Sequence, residues 1–99
     1  MKAKTERFKT AKDLGKALGL SPLDMELIRQ KKKIIEKLKA SRLKQKLSQA
    51  QVAERVGSKQ PAIARMESGQ VSEVSMDFLV KVALVLGVSL TVRSIKEVA

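Results

Sequence analysis

The chain has 99 residues, 43% of them hydrophobic, with Phe8 and Phe78 as its aromatics; it can bury one modest aliphatic core, which argues against wholesale disorder. Twenty-one Lys and Arg against ten Asp and Glu give a formal charge of +11, an excess that a polyanionic partner would relieve, although charge alone does not separate nucleic acid from an acidic membrane or protein. With no Cys and no His, disulfides, thiolate metal sites, thiol nucleophiles and imidazole acid–base chemistry are excluded.

Residues 1–20 read as a basic N-terminal arm followed by a short amphipathic helix over 11–18, with Thr10 as its N-cap and Gly19 as its stop. Residues 21–99 read as a single domain. Ser21-Pro22-Leu23-Asp24 is a strong helix start: a hydroxyl cap, proline in the first turn and an acid near the positive end of the dipole. A helix can run from there toward Lys46, with Leu27, Ile28, Ile34, Ile35 and Leu38 at helical spacing and Lys31, Lys32 and Lys33 on a solvated face. The pattern leaves open whether this helix bends near Ala40-Ser41. Asp24 and Glu26 belong to the helix start and have no base or nucleophile beside them, so they are not a catalytic pair.

Ser48 with Gln51 forms a capping box for a helix that ends at Gly57. A second short helix over 60–67 carries Pro61 in its first turn, where a missing N–H is no loss, and ends at Ser68-Gly69. Residues 70–74 read as a loop. Ser75 caps a helix over 76–86 whose core face is Phe78, Leu79, Val82, Ala83 and Leu86, with Gly87 after its end. Beyond it the period changes from helical to alternating and β-branched residues multiply, which predicts a strand over 89–95.

Function concentrates in residues 49–69, two short helices meeting at a glycine. Ala53 sits where they cross, Gly57 permits the positive φ of a sharp turn, and Val52, Val56, Ile63 and Met66 face inward. Lys59, Gln60, Ala62 and Arg65 are left facing out, with Pro61 in the first turn. Gln and Arg are the side chains best able to pair with base edges in the major groove.

The stretch L-S-Q-A-Q-V-A-E-R-V-G-S-K-Q-P-A-I-A-R-M-E-S-G closely resembles the Cro/C1-type (XRE) helix-turn-helix family, on Gln49, Ala53, Gly57, Ile63, Glu67 and Gly69, and the resemblance extends over residues 42–90. It departs at Ser58, where a hydrophobic residue is commoner. The resemblance implies an all-α, lambda-repressor-like domain of about five helices with no enzymatic role and no cofactor or metal. It places Ser58, Lys59, Gln60, Pro61, Ala62 and Arg65 on the DNA side, assigns Gln49 to a phosphate and to steadying Gln60, and makes Arg42 and Glu67 a structural ion pair. Pro61 replaces a polar reader, which leaves that step to apolar contact with a thymine methyl or to no readout. Lys44 and Lys46, next to the motif, are the best further phosphate candidates. The order of elements, with L-G-L-S-P early and V-S-L-T-V-R-S-I at the end, is similar to the HigA-type antitoxins, whose C-terminal strand stands in place of a fifth helix.

A lone strand cannot satisfy its own backbone groups, so Leu90, Thr91, Val92 and Arg93 are expected to pair with a second copy across a two-fold axis or with another protein, residues 6–10 being a weak partner within the chain. The expected partners are therefore double-stranded DNA with a palindromic operator, a second copy in a homodimer, and a RelE/HigB-type toxin. A stand-alone phage or chromosomal repressor is the alternative. No apolar run spans a bilayer and the N-terminus lacks a signal peptide's apolar stretch, so no membrane partner and a cytoplasmic location are expected.

Overall fold

A computed structural model of the protein describes residues 21–94, together with Ala17 and Gly19. The arm and short helix expected within residues 1–20 lie almost wholly outside the described residues, as does the weak strand candidate at 6–10. The described part comprises α1 (Pro22–Lys44), α2 (Gln49–Val56), α3 (Gln60–Glu67), a 3₁₀ turn at Val71–Glu73 and α4 (Met76–Leu86). Four of the five expected helices are thus present, and the fifth falls among residues that are not described.

Helix α1 starts as its sequence dictates. The Ser21 hydroxyl accepts from the Asp24 backbone N–H at 3.0 Å and donates to the Asp24 carboxylate at 2.9 Å. Ile35, Leu38 and Arg42 form its buried stripe, with Ile28 and Ile34 packed alongside. Leu27, expected on that stripe, is instead half exposed, and Leu23 is open to solvent. Length is consistent with this: 23 residues make a rod about 34 Å long, whereas the eight-residue α2 and α3 are each about 12 Å, so among the described residues the first turns of α1 extend past the helices that cover the rest.

The lysine run is also less uniform than expected. Lys31 is half-buried, and its Nζ donates to the Val74 carbonyl at 2.7 Å and more loosely to the Val71 carbonyl at 3.4 Å. Lys32 and Lys33 are solvated. Segment 70–74 is likewise more than a loop: it forms the 3₁₀ turn, with Val71 and Val74 buried in the core. A three-residue turn is too short to leave a periodic signal.

Three helices end in one way. After α2 the Ser58 N–H bonds the Ala53 carbonyl and the Gly57 N–H bonds that of Glu54; after α4, Val88 bonds Ala83 and Gly87 bonds Leu84. Gly57 and Gly87 supply the left-handed residue at φ 82° and 75°. The same pair of bonds closes α1, from Leu47 to Arg42 and Lys46 to Leu43, but there Lys46 takes the left-handed position at φ 60°. The Gln45 amide then ties the end of α1 to the end of α4 through the Leu86 carbonyl at 2.8 Å.

The core gathers Leu38, Val52, Ala53, Ile63, Met66, Leu79, Val82, Ala83 and Leu86 from all four helices. Beyond α4 the expectation of a strand fails. Residues 88–94 carry no strand hydrogen bonding, residues 91–94 are exposed, and Val92 is 99% accessible. An alternating pattern proposes one side of a ladder, and among the described residues of the chain nothing supplies the other. Leu90, Thr91, Val92 and Arg93 therefore trail the domain as irregular chain.

Candidate nucleic-acid interface

Helix α2 is fixed at its start by a complete capping box. The Ser48 hydroxyl accepts from the Gln51 N–H at 3.0 Å, and the Gln51 side chain accepts from the Ser48 N–H at 2.8 Å. This anchors Gln49 at the first helical position. Gly57 then reverses the chain, and α3 leaves against α2 with Val52, Ala53, Ile63 and Met66 closing the seam. Lys59 occupies the N-cap of α3 without a side-chain capping bond, and Pro61 lies within the first turn.

With Ile63 and Met66 spent inward, the rest of α3 divides as helical geometry requires. Lys59, Gln60, Pro61 and Arg65 are exposed; Ser58 and Ala62 are half-buried. Ser58, Ala62 and Arg65 line a cleft of about 290 Å³, whose opposite wall is Glu73, Val74, Ser75 and Phe78. None of these four was expected at the site from the sequence, because only the fold brings the 3₁₀ turn and the start of α4 alongside α3. Lys44 and Lys46 are exposed at the end of α1 and in the turn before α2. Leu90, Thr91, Val92 and Arg93 lie after α4 and do not line this cleft.

Behind the exposed surface runs a chain of polar contacts. Arg42 holds Glu67 through two bonds, Nε to Oε2 at 2.7 Å and Nη2 to Oε1 at 2.9 Å, and its Nη1 donates to the Leu47 carbonyl at 2.8 Å. Their side chains are 10% and 4% exposed. The Gln49 amide donates to Glu67 Oε1 at 2.9 Å, and Gln60 Nε2 donates to Gln49 Oε1 at 2.6 Å. Burial acts to raise the Glu67 carboxyl, but the hydrogen bonds from Arg42 and Gln49, with the Arg42 charge, outweigh it and hold the group below its ordinary value. The guanidinium of Arg42 is shifted up, first by its hydrogen bonds to Glu67. The Arg42–Glu67 pair and the Gln49–Gln60 contact follow the positions the family resemblance gives them. The link between Gln49 and Glu67 was not visible in the sequence, because two residues 18 apart meet only through the crossing of α2 and α3.

Residues 38–92, more than half of the chain, match the family described as helix-turn-helix. The chain belongs to that family. Comparison with curated proteins and with solved structures gave no match. The family, of the Cro/C1 type, is one of DNA-binding transcriptional regulators and not of enzymes. In this helix-turn-helix protein the matched segment takes in α2, α3 and α4 with the last turns of α1, and so contains the whole polar chain from Arg42 to Gln60. Among the described residues no helix is long and apolar enough to cross a membrane.

Proposed function

We propose that the protein is a sequence-specific repressor that lays α3 in the major groove of a palindromic operator as a homodimer, blocking transcription by occupancy. The observation that carries this reading is the division of α3: Gln60 and Arg65 stand exposed while Ile63 and Met66 are buried. Arg pairs in bidentate fashion with guanine O6 and N7, and Gln with adenine N6 and N7. Gln60 keeps its Oε1 and one N–H free after donating to Gln49, one acceptor and one donor, which is the adenine complement. Lys44, Lys46, Lys59, Gln49 and the backbone N–H groups opening α2 and α3 are assigned to phosphates. Ser58, Pro61 and Ala62 are assigned to close contact with the groove.

A second copy is assigned to the surface on which Met76, Val80 and Leu84 recur every fourth residue of α4 and all stay exposed. Two-fold pairing would set two recognition helices about 34 Å apart. Within this reading the protein is the antitoxin of a RelE/HigB-type pair acting on its own operon, a role suggested by the sequence likeness of L-G-L-S-P and V-S-L-T-V-R-S-I to the HigA-type antitoxins. The alternative reading is a stand-alone phage or chromosomal repressor without a toxin.

Arg65→Ala is expected to cost about 1–3 kcal/mol of binding and to relax selectivity at one step. Lys44→Ala is expected to weaken all duplexes alike and to reduce the salt slope by about one. Titrations of both variants against selected and scrambled duplexes check this; two variants that bind like the parent would end the DNA assignment. Copurification with the product of the adjacent gene, followed by binding to the shared promoter, separates the two biological readings.

A further inference from the structure

We infer that Glu67 is a positioning residue for base selectivity: its buried carboxylate fixes which way the Gln49 and Gln60 amides point, and thereby which base edge Gln60 matches. This rests on the DNA reading above. With its side chain 4% exposed, Glu67 is placed to act through Gln49 and not by direct contact with a duplex.

The argument follows from what each group can do. A carboxylate accepts and never donates. The Glu67 side chain is 4% exposed and grips Arg42 at 2.7 and 2.9 Å, so it stays ionised at neutral pH. Gln49 must therefore turn its NH₂ toward Glu67 Oε1, where it sits at 2.9 Å, and its oxygen away. The reverse orientation would set an amide oxygen against a carboxylate oxygen. With the Gln49 oxygen facing Gln60, Gln60 must in turn present its NH₂ there, at 2.6 Å. One acceptor and one donor are left on the outer edge of Gln60.

Without the carboxylate nothing fixes the sense of this chain. Both amides can then turn over together with their mutual bond kept. Gln60 would accept from Gln49 and present its whole NH₂ outward, a donor-only edge that suits the two acceptors of guanine. The buried acid thus biases the exposed glutamine toward adenine and against guanine.

The test is a base-preference measurement with random-duplex selection and competition titration, using the whole chain. The step read by Gln60 is identified as the one whose preference is lost in Gln60→Ala. Glu67→Gln, Gln49→Ala and the charge-free double variant Arg42→Met with Glu67→Gln are compared at temperatures where each is folded. Expected is a fall of about two- to tenfold in the adenine-to-guanine ratio at that step, the worth of one neutral hydrogen bond, with the ratios at other steps kept. If Glu67→Gln unfolds, the double variant and Gln49→Ala carry the readout. Variants that lose affinity evenly while keeping the ratio overturn the positioning role and leave the DNA reading standing. A parent protein that selects no duplex overturns the DNA reading, and this inference with it.

Discussion

Arg42 is the buried cation among the described residues, and its cost is met by Glu67 and the Leu47 carbonyl together. Removing one partner leaves the other charged and dry, so Arg42→Ala is expected to lose about 3–5 kcal/mol in chemical denaturation. The pH dependence has a definite sign. The Glu67 carboxyl titrates below its ordinary value of 4.5 when folded, so its share of stability is complete above that value and is lost as pH falls through the lowered one. Denaturation from pH 7 down to 3 should show an acid limb that flattens in Glu67→Gln. Glu26 is held down to about 2 by hydrogen bonds from Arg29 and then Gln30, but the pair lies at the surface, with the Glu26 side chain 44% exposed, and water screens what it contributes. At this scale the sequence disclosed the partners that a family pattern places, Arg42 with Glu67 and Gln49 with Gln60. It hid Gln49 with Glu67 and Arg42 with Leu47, because those meetings depend on a crossing angle and a turn path.

Among the elements, the helix ends were the most legible. Ser21, Ser48, Ser75, Gly57 and Gly87 cap as their residue types require, since capping is decided by a few adjacent atoms. Lys46 was read only for its charge, and its left-handed backbone shows that one helix ends without the glycine the other two use. A side chain there costs about 1–2 kcal/mol against a right-handed residue, partly offset because glycine loses more freedom on folding. Lys46→Gly is therefore expected to stabilise the fold by about 0.5–1 kcal/mol, and Gly57→Ala, with no neighbour near the added methyl, to destabilise it by about 1 kcal/mol through the backbone alone. Thermal melts of both variants measure this. The strand failed for the opposite reason to the success of the caps. A cap is local, whereas a strand is a relation between two segments, and alternation in residues 89–95 describes only one of them.

For the molecule as a whole, the +11 charge is the dominant field. It repels itself in the free protein and attracts phosphate in the complex, and added salt weakens both effects. Raising salt from about 50 to 200 mM should thus move the melting temperature up while duplex affinity falls by orders of magnitude. A protein in which both quantities are insensitive to salt would have its cations dispersed or paired. Sedimentation across the same range tests the homodimer, and Leu84→Glu should push it toward monomer, with a melting temperature that no longer rises with protein concentration.

One amine reaches further than its place on the surface suggests. By bonding two carbonyls of the turn before α4, Lys31 braces the wall that faces Arg65 across the cleft. An acyl group on that nitrogen would remove its charge and leave it a single N–H where it now donates to the Val74 and Val71 carbonyls. A covalent mark on α1 would in that way be registered beside Arg65, the arginine proposed to read bases, with no residue of α3 altered.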